Sequence, residues 1–281
     1  MDSIMLKPVG QVISDVLDPF NMPFGGRPAI IEVFPEYEQA LLRIEENSHI
    51  WVLGWFHKAS RDVLRAKPFK INPLSPEFGV FALRTFNRPN PIALSLAKVK
   101  EVKDRYIYVE SLDAIAGTPI IDIKPYFEND IVFSPMSSYI KGKNVEMQLQ
   151  NLKRHALTHH QEECRELYLA IKMAVIAEDY FGKLNSNDLL VKVIGSPCLG
   201  DCIQGVTRAR LANPQRFSFQ SSTECSQTVW KRGNQELSIS LKAEYTDDVD
   251  SLSDAMLLEE LFNIDLMCQG VDTSVLKSPS P

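Results

Sequence analysis

The strongest constraint on this chain's fold is the run of short apolar segments across residues 4–134, each broken by Gly, Pro, Asn or Asp after a few residues. Residues 4–14 read as a first strand, with Val9, Val12 and Ile13 among small and polar neighbours. Asp18 to Pro28 is a loop rich in Pro and Gly. Ala29 to Phe34 is a strand, and Pro35 to Ile44 a short amphipathic helix with Leu41, Leu42 and Ile44 facing inward. His49 to His57 is a strongly apolar strand, followed by a polar, basic loop from Lys58 to Ser75. Val80-Phe81-Ala82-Leu83 suits a buried strand, and the chain re-enters a strand at Ile92. Ala97 to Leu112 alternates in the period of a hairpin, with its turn at Asp104-Arg105. After a turn from Asp113 to Pro119, Ile120 to Tyr126 is a last strand. So many strands with one small helix predict a barrel or sandwich over residues 4–134.

Between Leu83 and Ile92 lie two arginines, Arg84 and Arg88, beside Phe86 and ahead of Pro89-Asn90-Pro91. The prolines fix two φ angles and remove two backbone donors. Two cations beside an aromatic ring on a stiffened turn suit an anion or a nucleobase. The plainer alternative is a Pro-rich corner with two solvated arginines.

The composition of the second half differs. Residues 135–161 read as a linker, and 162–243 as a smaller α+β domain. Glu162 to Phe181 carries a helical apolar stripe with Gly182 at its end, and strands are expected at 189–194, 217–219, 227–230 and 236–243. Residues 244–281 hold nine acidic residues and one Lys, and read as an acidic flexible tail, with Met256 to Met267 as a short docking helix. The predicted class is therefore a mainly β first domain with an α+β second domain.

With 44% hydrophobic and 23% charged residues the chain can bury a full core. A net charge of −6 argues against a nucleic-acid coat, though not against a local basic patch. The five cysteines form no dense framework, which suits a reducing compartment. The start Met1-Asp2-Ser3-Ile4 lacks the pattern of a signal peptide, and no stretch is apolar enough to span a bilayer. The expectation is a cytoplasmic protein with no membrane contact.

Three segments together resemble the tRNA methyltransferase O family, also called TsaA-like proteins. They are Phe78 to Ser95 with its Arg84-x-x-x-Arg88-Pro-Asn-Pro-Ile, Ser111 to Tyr126 with Gly117-Thr-Pro-x-x-Asp-Ile-Lys-Pro-Tyr, and Ser48 to His57. The resemblance implies an S-adenosylmethionine-dependent methyltransferase on a small β-barrel, working as a homodimer. Its substrate would be the N6 nitrogen of threonylcarbamoyladenosine beside the anticodon of a tRNA. In keeping with that, the chain has no glycine-rich strand-turn-helix fingerprint of a Rossmann fold. Carried across by position, Phe56 and His57 would line the cofactor pocket, Arg84 would hold a carboxylate or the nucleotide, and Leu94 would pack on the cofactor. Leu112, Asp113, Gly117 and Thr118 would close the pocket, and Arg88, Asn90 and Lys124 would lie near the substrate. Four positions depart from the family pattern. Phe24-Gly25-Gly26 stands where an Arg-Gln pair is frequent, Ala116 where Asp is usual, Leu83 where Thr is usual and Ala93 where Gly is usual.

His57 is the candidate general base, with a structural histidine as the alternative. Phe24, Phe86 or Tyr126 could stack on a base, or serve in packing. A non-catalytic nucleoside- or metal-binding module is the competing function.

In the second half, Cys198-Leu-Gly-Asp-Cys202-Ile-Gln-Gly-Val-Thr resembles a motif of formylmethanofuran dehydrogenase-like domains. Cys198 and Cys202 are four apart, as are His155 and His159, and His160 and Cys164. These could assemble a zinc site, expected at His159, Cys164, Cys198 and Cys202, with scattered structural cysteines as the alternative. Thr207-Arg208-Ala209-Arg210 with Arg216 could contact phosphate, or form a solvated face.

Overall fold

A computed structural model describes residues 4–241 and 266–269. The chain divides into two compact units between Ile131 and Val132.

The first unit is a closed antiparallel barrel. Its strands are β1 (Gly10–Ile13), β2 (Arg27–Val33), β3 (His49–Trp55), β6 (Ile92–Lys103), β7 (Tyr106–Leu112) and β8 (Pro119–Pro125). They run in the order β1-β2-β7-β6-β3-β8, and β1 closes the ring by pairing with β8. Closure leaves the ring without an exposed edge. The alternation read from the sequence is the physical cause. Val12, Ile31, Val33, Ile50, Val52, Ala97, Ile107, Val109 and Ile120 alternate inward and are at most 3% exposed. Each large one contributes roughly 1.5–3 kcal/mol by leaving water. The β6–β7 turn falls at Asp104, whose φ of 50° is the left-handed geometry a short hairpin needs.

Two expectations fail here. Val80–Ala82 is a 3-10 turn, not a strand: Val80 is buried but Phe81 is 86% exposed. The Arg88 guanidinium bonds the carbonyls of Val80 and Leu83 and holds that turn. The true strand is shorter, β5 (Phe78–Gly79), paired with β4 (Arg65–Ala66) inside the stretch read as a loop. The expected helix at 35–44 is a pair of 3-10 turns, Pro35–Leu41 and Ile44–Glu46. Arg43 between them has a φ of 69°, which breaks the helical period and leaves Leu42 84% exposed.

The second unit packs three helices with a sheet. The helices are α1 (Val145–His160), α2 (Arg165–Phe181) and α3 (Pro197–Thr207). The sheet runs β10 (Phe217–Ser221), β9 (Leu190–Gly195), β11 (Gln227–Arg232), β12 (Gln235–Leu241), β13 (Leu266–Gln269), with only β9 and β10 parallel. Helix α1 lies inside the stretch read as a linker. Its buried stripe, Gln148, Leu152 and Ala156, is narrow enough to be hidden in Lys-, Asn- and His-rich text. Asn144 caps it by accepting from the Met147 amide at 3.0 Å. Helix α2 is buried on most sides, from Leu167 to Phe181. Trp230 is fully buried, and its indole N–H donates to Thr228 at 2.9 Å. Strand β13 pairs with β12 from within the stretch read as an acidic tail. Residues 256–265 of the expected docking helix lie outside the described residues. Among the described residues no helix is long and apolar enough to cross a membrane.

Candidate functional site

The loops at one end of the barrel gather most of the expected site. β3 ends at Trp55, and the Phe56 amide donates to the Pro91 carbonyl at 2.8 Å. That bond seats the Pro-Asn-Pro turn beside Phe56, whose ring meets Phe86 edge-on at 6.4 Å. The Ser60 amide donates to Asn87 Oδ1 at 2.8 Å, and the Arg88 amide to the Ser60 carbonyl at 3.1 Å. Phe56, His57, Arg84, Arg88 and Asn90 therefore belong to one pair of interlocked loops.

Thr118 comes to the same end from β8. Its Cγ2 would lie 3.4 Å from a Cβ built on Gly54, where Ala93 also closes in at 3.6 Å. Thr118 is 1% exposed, yet its hydroxyl has no hydrogen-bond partner. A buried hydroxyl left so is a costly arrangement in the absence of a ligand. The amides of Ala116, Gly117 and Thr118 bond the carbonyls of Val16, Val12 and Ile115. The Thr118 side chain, rather than those amides, is thus the group left over.

The loop Phe24-Gly25-Gly26 lies against the same segment. Gly25 accepts from Ser111 Oγ at 2.5 Å. Gly26 has a φ of 84°, and a Cβ there would sit 2.6 Å from the Leu112 carbonyl. Glycine is required because main chain meets main chain. Leu112 is buried at the end of β7, and Asp113 and Gly117 are exposed on the turn that follows.

The two arginines differ. Arg88 is a structural clamp on Val80 and Leu83, not a free cation. Arg84 is exposed and makes no hydrogen bond or ion pair with a described residue. Burial, and then the charge of Lys58, lower the His57 pKa, so its neutral form is favoured.

Leu94 and Lys124 lie on the outer wall of the barrel. Leu94 pairs with Leu53, while Lys124 pairs with Trp51 and is bridged to Asp122 at 2.7 Å. Along β3, Trp51 is ~16 Å from Phe56 at the usual strand rise, so Lys124 is not brought to the Phe56 end. Tyr126 packs on Trp51 and His49, and Phe86 on Phe56, which is the packing role left open for both. A cavity of about 310 Å³ opens at the opposite end, lined by Tyr37, Leu41, Arg43, Asn47 and Pro125 among others, and holds none of the expected site residues.

Sequence reasoning missed the basic loop's work. Arg61 donates to the Pro89 carbonyl at 2.9 Å and sits 5.8 Å from the Trp55 ring centre. Lys58 holds the Leu17 carbonyl at 2.9 Å, and Lys70 those of Pro19 and Met22 at 3.1 and 2.8 Å. These long-range bonds have no local signature; only the clustering of cations hinted at them.

In the second unit His159 is not with the cysteines. It faces Phe133, ring centres 5.8 Å apart, and its Cβ abuts Gly205. Successive helical residues point about 100° apart, and it is His160 that meets Cys164 and Cys198. The basic cluster also changes character. Arg216 is 4% exposed and donates to the carbonyls of Ser186 and Arg208 at 2.6 and 3.1 Å, so it is unavailable to phosphate.

The first unit is thus a small closed barrel with a free cation and an aromatic pair on its loops at one end, and an unpartnered buried hydroxyl at the start of β8. Similarity to known proteins gives its kind. Residues 20–130 match the model of the tRNA-methyltransferase O N-terminal domain. A "Probable S-adenosyl-L-methionine-binding protein" of Methanothermobacter thermautotrophicus is 41% identical over 130 residues, 45% of this chain and 92% of that protein. The chain belongs to the tRNA-methyltransferase O family. Another protein of the same description, from Archaeoglobus fulgidus, is 34% identical over 221 residues, 75% of this chain and 60% of that protein. A match of 221 residues is longer than the first unit, so it reaches well into the second. This chain spans less than two thirds of that relative's length. A "tRNA (adenine(37)-N6)-methyltransferase" of Rattus norvegicus is 36% identical over 126 residues, 44% of this chain and 27% of that protein.

Proposed function

We propose that the barrel is an S-adenosylmethionine-dependent methyltransferase acting on N6 of an adenine beside a tRNA anticodon, with the threonylcarbamoyl-modified base as substrate. The observation that supports this reading is that Phe56, His57 and Arg84 lie on interlocked loops at the end of the barrel where Thr118, buried with an unpartnered hydroxyl, leads into β8. These residues fit the cofactor chemically. Arg84, free of any described partner, suits its carboxylate, Thr118 offers a hydrogen bond, and Phe56 offers an aromatic face. When bound, the cofactor supplies an electrophilic methyl carbon. The chain's own work is to orient the adenine nitrogen, exclude water and take up a proton. In this reading His57, held toward its neutral form, would accept that proton. Asn90, which is exposed and accepts from Arg61 at 3.5 Å, would in the same reading contact the substrate.

Ile92, Leu94 and Leu96 are 38%, 46% and 44% exposed on the outer face of β6, beside Leu53 and Trp55. A contiguous apolar wall of this kind calls for a cover. We read it as the face on which a second copy completes the site and encloses Leu94. The competing reading, a non-catalytic nucleoside-binding module, draws on the solvent exposure of Arg84.

The test is incubation of the full chain with threonylcarbamoylated tRNA and S-adenosylmethionine, followed by mass spectrometry of the nucleosides. One methyl group on the modified adenosine is expected. Arg84→Ala is expected to weaken cofactor binding by ~10- to 100-fold in calorimetry, the range of a lost charge-assisted bond. A folded wild-type chain that binds no cofactor sinks the enzymatic reading.

A further inference from the structure

We propose that His160, Cys164, Cys198 and Cys202 bind one divalent transition-metal ion, zinc foremost, as a closed structural site in the second unit. The site stands apart from methyl transfer and does not depend on that reading.

The geometry comes first. The ligand atoms of His160, Cys164 and Cys198 all lie within 4.8 Å of one another. His160 Nε2 is 3.3 Å from Cys164 Sγ. Two donors at about 2.05 and 2.3 Å from a tetrahedral zinc are ~3.6 Å apart, so this spacing matches one edge of a zinc tetrahedron.

The donors come from three elements. His160 ends α1, Cys164 stands at the N-terminus of α2 without making a side-chain cap bond, and Cys198 and Cys202 sit one turn apart on α3. Their four-residue spacing puts both on one helix face. Cys202, one turn further along α3 and fully buried, lies outside that 4.8 Å cluster and is the group we assign to the fourth position.

A second observation points to the same ligand. The His160 side chain is only 6% exposed, and its Nδ1 has no hydrogen-bond partner. That atom lies 3.6 Å from the Asp201 carboxylate. A small closing motion would let Nδ1–H donate to Asp201, fixing the tautomer that aims Nε2 at the metal. Three soft sulfurs and one imidazole are a donor set that selects zinc over magnesium or calcium. Four protein ligands leave no open position, so the ion ties α3 to the α1–α2 junction and does no chemistry.

Metal analysis of the purified full chain is expected to find one equivalent of zinc. After chelation, cobalt(II) titration is expected to produce intense thiolate-to-cobalt charge-transfer absorption. Cys198→Ser and His160→Gln should each weaken cobalt binding by ~100-fold, and Asp201→Asn by ~10-fold. His159→Gln should leave it unchanged. Asp201 is 58% exposed, so its variant keeps the test informative if a cysteine variant fails to fold. A folded full chain without the charge-transfer band overturns the proposal. So does equal loss from His159→Gln and His160→Gln, or a thiol titration showing Cys164 and Cys198 joined as a disulfide.

Discussion

The barrel and the second unit assemble their polar groups by opposite means. At the barrel rim, His57 and Arg84 are far apart in sequence and lie on loops that bond each other, the Ser60 amide to Asn87 and the Arg88 amide to Ser60. In the second unit, His160, Cys164, Cys198 and Cys202 project from helix ends and one helix face. Loop assembly leaves groups unpaired and open to solvent, as Arg84 and the outer wall of β6 show. Helix assembly buries its groups among one another. The first arrangement suits a ligand that comes and goes, and the second an ion that stays.

Glycine substitution sharpens that contrast most. Gly26→Ala adds a Cβ against the Leu112 carbonyl at a φ of 84°. The expected loss is about 3 kcal/mol, read from the urea midpoint, since neither main chain can yield. Gly205→Ala also makes a close approach, 2.8 Å to the His159 Cβ and 3.2 Å to the Ala156 main chain, but at a helical position without a left-handed φ. There the gain in helix propensity offsets part of the clash, and a net loss of about 1 kcal/mol is expected. Equal losses would break the distinction between loop-built and helix-built contacts.

The two arginines test the rim itself. Arg88→Met removes the donor to the Val80 and Leu83 carbonyls and should lower stability by about 2 kcal/mol. Arg84→Ala should leave the urea midpoint within ~0.5 kcal/mol, because no described residue depends on it. If Arg84→Ala destabilises as much as Arg88→Met, the free-cation account of the rim is wrong.

The smallest effect is expected in the pH profile. Burial and Lys58 lower the His57 pKa, so the imidazole stays neutral to a more acidic pH than the ordinary value of about 6.5. If His57 accepts the proton, kcat/KM for methyl transfer should hold as pH falls through that value and decline below it. His57→Gln should remove this limb. The same shift makes the folded chain slightly less stable on acidification, because the unfolded chain binds that proton more tightly. A limb unchanged by His57→Gln would return His57 to a structural role.

Much of this was legible along the chain. The alternation of Val12, Ile31, Val33, Ile50, Val52, Ile107 and Val109 specified strands with one buried face. The motifs around Arg84, Pro89 and Gly117 placed the rim residues on turns. Turns and alternation depend on neighbours a few residues away, so they can be read in order. Less legible was α1, whose stripe is narrow, and Val80–Ala82, where a long-range guanidinium clamp overrides an apolar run.

The sequence by itself determined most of the barrel strands, the turns and the residue types that stand at the rim. Tertiary structure alone decided that Arg84 is free while Arg88 is committed, that Thr118 is buried without a partner, and that His160 rather than His159 meets the cysteines. The reason is physical. Whether a polar group is satisfied depends on what the fold brings to it from a distance, and nothing in the local chain encodes that arrival.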